Sequence, residues 1–115
     1  MNDETVIIRR TQPVFAYLFW TEGVRRGEYA QLVPEGVTLG RGAEADVILD
    51  DDTVSAEQAR IRREGTTWVL YDLASANRTV RGGEPVARAE LADGDHLAFG
   101  NTPMVFRCLD EGATS

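Results

Sequence analysis
Short apolar runs, each a strand's length and each closed by a cluster of turn-forming residues, recur along the chain. Val14 to Thr21 is apolar and aromatic, and the EGVRRGE stretch behind it has glycines near both ends. Tyr29 to Val33 stops at PEG. Val37 to Leu39, Val47 to Leu49, Ala59 to Arg63 and Trp68 to Asp72 continue the series, with Glu64 and Gly65 where a hairpin turn belongs. Thr79 and Val80, Val86, His96 to Phe99 and Met104 to Leu109 complete it.

Many short strands with turn signals every ~8–12 residues predict an all-β fold, a two-sheet antiparallel β-sandwich with its functional loops at one end. SAEQAR has helical character with Ser55 as a possible N-cap, but the alternation through Ala59, Arg60, Ile61 and Arg62 favours a strand entered from a loop. ARAELADG is expected to form at most one helical turn. Leu18, Leu39, Val47, Ile61, Val69, Leu97, Phe99 and Phe106 are the expected buried positions. Trp68 is expected to pack, and Trp20 to cover a sheet edge or face. The boundaries that follow are a flexible N-terminal arm at 1–13, the sandwich at 14–109 and a flexible tail at 110–115.

The 115 residues suit one core, with 43% hydrophobic and 27% charged residues. No run approaches the ~18 apolar residues of a membrane helix, and the acidic start of MNDETVIIRR is unlike a secretory signal. A single cysteine, Cys108, excludes an internal disulfide; together these features suggest a cytoplasmic protein with no membrane partner. A net charge of −7 argues against a nucleic-acid partner. All basic side chains are arginine, the residue whose planar fork grips a phosphate with two hydrogen bonds.

Catalysis is not expected. His96 and Cys108 are the only residues of their types, so no Cys/His zinc set can be assembled. His96 follows the Asp93-Gly94-Asp95 turn and opens an apolar strand, a structural setting rather than that of a triad base. Asp50, Asp51 and Asp52 lack the interleaved spacing of a calcium loop, and no P-loop is present. No metal and no cofactor are predicted.

Four separated pieces carry the remaining signal: Gly40-Arg41; the loop serine Ser55; SANRT from Ser75 to Thr79; and LADGDHLAFG from Leu91 to Gly100, set among the runs Asp46-Val47-Ile48-Leu49, Ser55-Ala56-Glu57-Gln58, Asp72 to Thr79 (DLASANRT) and Leu91-Ala92-Asp93-Gly94-Asp95. In order and spacing they resemble the forkhead-associated (FHA) domain, from about Phe15 to Arg107. The resemblance implies an FHA/SMAD-like sandwich that binds phosphothreonine peptides without catalysis, in serine/threonine kinase signalling of bacterial type. It implies Arg41 and Ser55 on the phosphate, Ala56 and Arg78 beside it, Asn77 on the peptide backbone, and Gly40 and Gln58 bracing the loops. A phosphothreonine brings nearly two charges and three strong acceptors, so an acidic protein must supply local donors for it. Taken singly, Ser55 could be a turn residue, Arg41 a surface arginine and Asn77 an Asx turn.

The chain departs from the family's pattern at Ala56, where a basic or polar residue is common, at Gln58 in place of histidine, at Ala76 in place of threonine, and at Arg78 in place of glycine. Arg78 is strained if its backbone needs positive φ, and otherwise adds a cation. Arg60, Arg62, Arg63, Arg78 and Arg81 form a candidate compensating basic patch. The expected partners are a phosphothreonine protein or peptide and a serine/threonine protein kinase. Thr5, between acids and apolar residues in DETVII, is a candidate phosphorylation site whose arm would occupy the Arg41/Ser55 site. The alternative function is a degenerate FHA-like scaffold mediating phosphate-independent protein–protein interaction.

Overall fold
In the computed structural model, residues 15–109 are described, and they contain eleven strands in two facing sheets. The strands are β1 (Phe15–Trp20), β2 (Tyr29–Leu32), β3 (Val37–Gly40), β4 (Val47–Ile48), β5 (Ala59–Glu64), β6 (Thr67–Asp72), β7 (Thr79–Arg81), β8 (Glu84–Val86), β9 (Arg88–Leu91), β10 (His96–Phe99) and β11 (Thr102–Leu109). One sheet runs β2-β1-β11-β10-β7-β8 and the other β4-β3-β5-β6-β9. Every pairing is antiparallel except that of β3 with β4, which is parallel. The expected arm at 1–13, Thr5, the start of the first strand at Val14 and the tail at 110–115 lie outside the described residues.

Period-two alternation builds the core. Ala16, Leu18 and Trp20 of β1, Met104 and Phe106 of β11, and Leu97 and Phe99 of β10 face Val37 and Leu39 of β3, Ala59 and Ile61 of β5, and Trp68 and Leu70 of β6. Fully burying one such large side chain contributes about 1.5–3 kcal/mol.

Three expectations change. ARAELADG contributes a strand, β9, because pairing with β6 buries Ala89 and Leu91 on alternate positions. Trp20 is a core residue, 5% exposed, with the Arg25 guanidinium stacked 3.7 Å over its ring. Val47 is only half-buried, since its strand is two residues long and lies at a sheet edge. Val69 is buried as expected, although it lies outside the core cluster, with Arg62 and Glu90 as its cross-strand neighbours.

Candidate functional site
The connections β3–β4, β4–β5, β6–β7 and β10–β11 meet at one end of the sandwich, tied by hydrogen bonds. β3 ends in Gly40, where a Cβ would lie 2.1 Å from the Ala56 carbonyl oxygen. Only glycine lets the β4–β5 loop close against the strand there. Beyond it the Arg41 N–H donates to the Ser55 carbonyl (2.9 Å) and the Gly42 N–H to that of Ala56 (3.1 Å). Arg41 and Ser55 are thereby fixed as neighbours. Arg41 Nε donates to the Val54 carbonyl (3.0 Å), and among the described residues nothing engages its terminal nitrogens. Its side chain is exposed and carries unspent donors into solvent.

Ser55 is held from both sides. Its N–H donates to Gln58 Oε1 (2.9 Å), and its Oγ accepts from the Ala76 N–H (3.0 Å). The hydroxyl proton is left to donate outward. Gln58 is fully buried, and its Nε2 donates to the Arg78 carbonyl (2.9 Å) and to Thr79 Oγ1 (3.2 Å). One amide therefore joins the β4–β5 loop to the β6–β7 loop, the bracing role expected of this position. The N–H groups of Ala56, Glu57 and Asn77 have no acceptor among the described residues.

In the β6–β7 loop Asp72 is the hub. Its Oδ1 accepts from Ser75 Oγ (2.6 Å) and Thr79 Oγ1 (2.7 Å), and its Oδ2 from the Ser75 N–H (3.0 Å). Burial pushes its carboxyl pKa up, but the hydroxyls of Ser75 and Thr79 and the backbone amides outweigh that and hold it below the usual carboxylate range. Asn77 is exposed, and its Nδ2 donates to the Thr53 carbonyl (2.9 Å). Arg78 has φ of +68°, so the conditional strain at this position is real, and Ala74 is similarly left-handed at +56°.

Arg41, Ser55, Ala56, Asn77, Arg78, Gly40 and Gln58 thus share one end of the molecule. The proposed basic patch does not form as one surface. Arg60 donates to Thr38 Oγ1 and the Glu35 carbonyl, and Arg62 pairs with Glu64. Arg81 sits in the other sheet and donates to the Glu90 carbonyl. Sequence reasoning missed one contributor to the site's frame. Asp51 accepts from the Thr53 N–H and hydroxyl and from Thr102 Oγ1, and these bonds, with the Thr53 hydroxyl the strongest influence, hold its carboxyl pKa low. The Asp-x-Thr spacing at residues 51–53 was the available signal for such a turn, and the surrounding aspartate run hid it.

The sequence profile of the FHA domain matches residues 37–100. The glycogen accumulation regulator GarA of Mycolicibacterium smegmatis is 36% identical over 91 residues, covering 79% of this chain and 58% of the relative. An oxoglutarate dehydrogenase inhibitor of Corynebacterium jeikeium is 34% identical over 91 residues, covering 79% and 63%. The chain spans about 60% of the length of these curated relatives. A solved structure from work on phosphothreonine-dependent FHA domain interactions superposes with a TM-score of 0.78 at 32% identity, covering 84% of this chain and 98% of that one.

Proposed function
The chain belongs to the FHA domain family, and on that premise we propose that its loop end binds phosphothreonine in partner proteins, as a regulatory module of serine/threonine kinase signalling. The observation that carries this reading is the fixed adjacency of Arg41 and Ser55, both with donors unspent, beside free amides at Ala56 and Glu57. Those groups suit a doubly charged monoester: a guanidinium for charge, a hydroxyl and amides for its oxygens. Asn77, anchored through Nδ2, keeps its carbonyl oxygen to accept from a peptide N–H and set the register. Ala56 supplies no side-chain donor, which removes about 1–3 kcal/mol that a polar side chain there could add. Two or three charge-assisted bonds, offset by ordering the peptide, correspond to low-micromolar affinity, about −8 kcal/mol.

Two relatives are named as metabolic regulators, and a metabolic enzyme is a fitting class of target for this chain too. The chain's own arm phosphorylated at Thr5 is a further candidate occupant. The test is an NMR titration with phosphothreonine peptides: amide shifts confined to the loops around Arg41, Ser55 and Asn77 are expected. A second reading, a phosphate-independent scaffold, has its own observation. Tyr17, Phe19 and Tyr29 cluster with ring centroids 5.3–6.1 Å apart, near exposed Phe15 and Leu109, on the outer face of the β2-β1-β11 sheet. Shifts on that face in place of the loops would favour it.

A further inference from the structure
Next to the loop end lies an open cavity of about 320 Å³, between the β1–β2 connection and the loops after β4 and β10. Trp20, Glu22, Arg25, Asp50, Asp51 and Thr102 are among its lining residues. A chain of hydrogen bonds connects it to the proposed peptide groove. Asn77 Nδ2 donates to the Thr53 carbonyl, the Thr53 hydroxyl to Asp51 Oδ1 (2.7 Å), and Thr102 Oγ1 to Asp51 Oδ2 (2.7 Å). Asn77 is thus linked through Thr53 to Asp51 of the cavity lining, and an extended peptide advances about 3.3 Å per residue.

The cavity's chemistry is that of a cation acceptor. Glu22 and Asp50 make no hydrogen bond or ion pair with any described residue. Asp51 is kept ionised by its hydroxyl and amide donors. Arg25, the one cation in the lining, is already committed: its Nε pairs with Glu28 (2.9 Å) and its Nη1 donates to the Ile48 carbonyl (3.2 Å). That guanidinium, stacked on Trp20, shows the kind of group this rim accommodates.

We propose that the cavity selects an arginine or lysine side chain of the partner segment flanking the phosphothreonine. The inference rests on the phosphothreonine reading above. Its physical reason is electrostatic. A protein of net charge −7 repels an anionic peptide at long range, and a cation carried on the same peptide, seated among three carboxylates, offsets that repulsion where the two surfaces meet.

The test is fluorescence anisotropy with phosphothreonine peptides in which each flanking position in turn is arginine, alanine or glutamate. Arginine at one position is expected to tighten binding about three- to tenfold over alanine, with glutamate weakening it and the difference shrinking at about 0.5 M salt. The double variant Glu22→Lys, Asp50→Lys should reverse the preference. If that variant melts early, Asp50→Asn alone should still at least halve the gain. Phosphate-dependent binding with no arginine preference, or a preference unchanged in the variants, overturns the cavity's role alone. Equal binding of phosphorylated and unphosphorylated peptides overturns the phosphothreonine reading, and this inference with it.

Discussion

Arg78 stands in the left-handed region at φ +68°, where a Cβ crowds the following carbonyl, yet its own carbonyl is one of the two acceptors of the buried Gln58 amide. The strained backbone is thus part of the frame that orients Asn77. Left-handed geometry costs a non-glycine residue about 1–2 kcal/mol, and glycine's greater freedom in the unfolded chain returns part of that. Arg78→Gly is therefore expected to raise unfolding stability by about 0.5–1 kcal/mol in urea titration, while changing peptide affinity no more than about threefold. A loss of stability would mean that the guanidinium makes contacts outweighing the strain. Gly40 shows the opposite constraint, a position where space at the Ala56 carbonyl requires glycine at an ordinary φ.

Among the elements, the β4–β5 and β6–β7 loops act as one unit because Gln58 satisfies Ser55 N–H, Arg78 C=O and Thr79 Oγ1 at once. Gln58→Leu keeps most of the volume, leaves the Ser55 N–H without a partner and leaves the Arg78 carbonyl only the long bond from the Gly100 N–H (3.4 Å). It should cost about 2–4 kcal/mol in chemical denaturation. It should also speed hydrogen exchange in residues 53–58 and 76–79; unchanged exchange there would show the loops to be independent.

Much of this arrangement was legible in the sequence. Short apolar runs closed by turn residues marked ten of the strands, since each strand must bury apolar side chains and each connection must turn. The ordered motif from Gly40-Arg41 to Asp72–Thr79 brought the site residues together before their contacts were known. What was hidden depends on partners. The segment at Arg88–Leu91 has weak β character and becomes a strand only because β6 offers it an edge. The parallel pairing of β3 with β4 rests on two residues, too few for any pattern. The burial of Trp20 depends on register, which a one-residue slip would reverse.

For the molecule as a whole, acid should act in two separate windows. Asp51, Asp72 and Asp93 are all held below the usual carboxylate range in the folded state: Asp51 by the Thr53 hydroxyl, Asp72 by hydroxyls and amides against burial, Asp93 by Arg107. Their stabilisation is complete above the unfolded carboxylate range, about pH 4, and is lost as pH falls through the depressed native values. Urea midpoints should therefore be nearly flat between about pH 5 and 8 and fall steeply below about 4. Peptide affinity should weaken earlier, below about pH 6, as the phosphate loses its second charge. A flat stability profile down to about pH 3 would contradict the depressed carboxylates.

The whole account turns on whether the end of the sandwich holding Arg41 and Ser55 reads a phosphate. The most direct measurement is calorimetric titration of matched phosphorylated and unphosphorylated threonine peptides into the protein and its Arg41→Ala variant. The phosphorylated peptide is expected to bind the protein in the micromolar range and to lose about ten- to hundredfold in the variant, with the unphosphorylated peptide weak in both. Equal affinity for the two peptides, or a variant that binds as tightly as the parent, would contradict it.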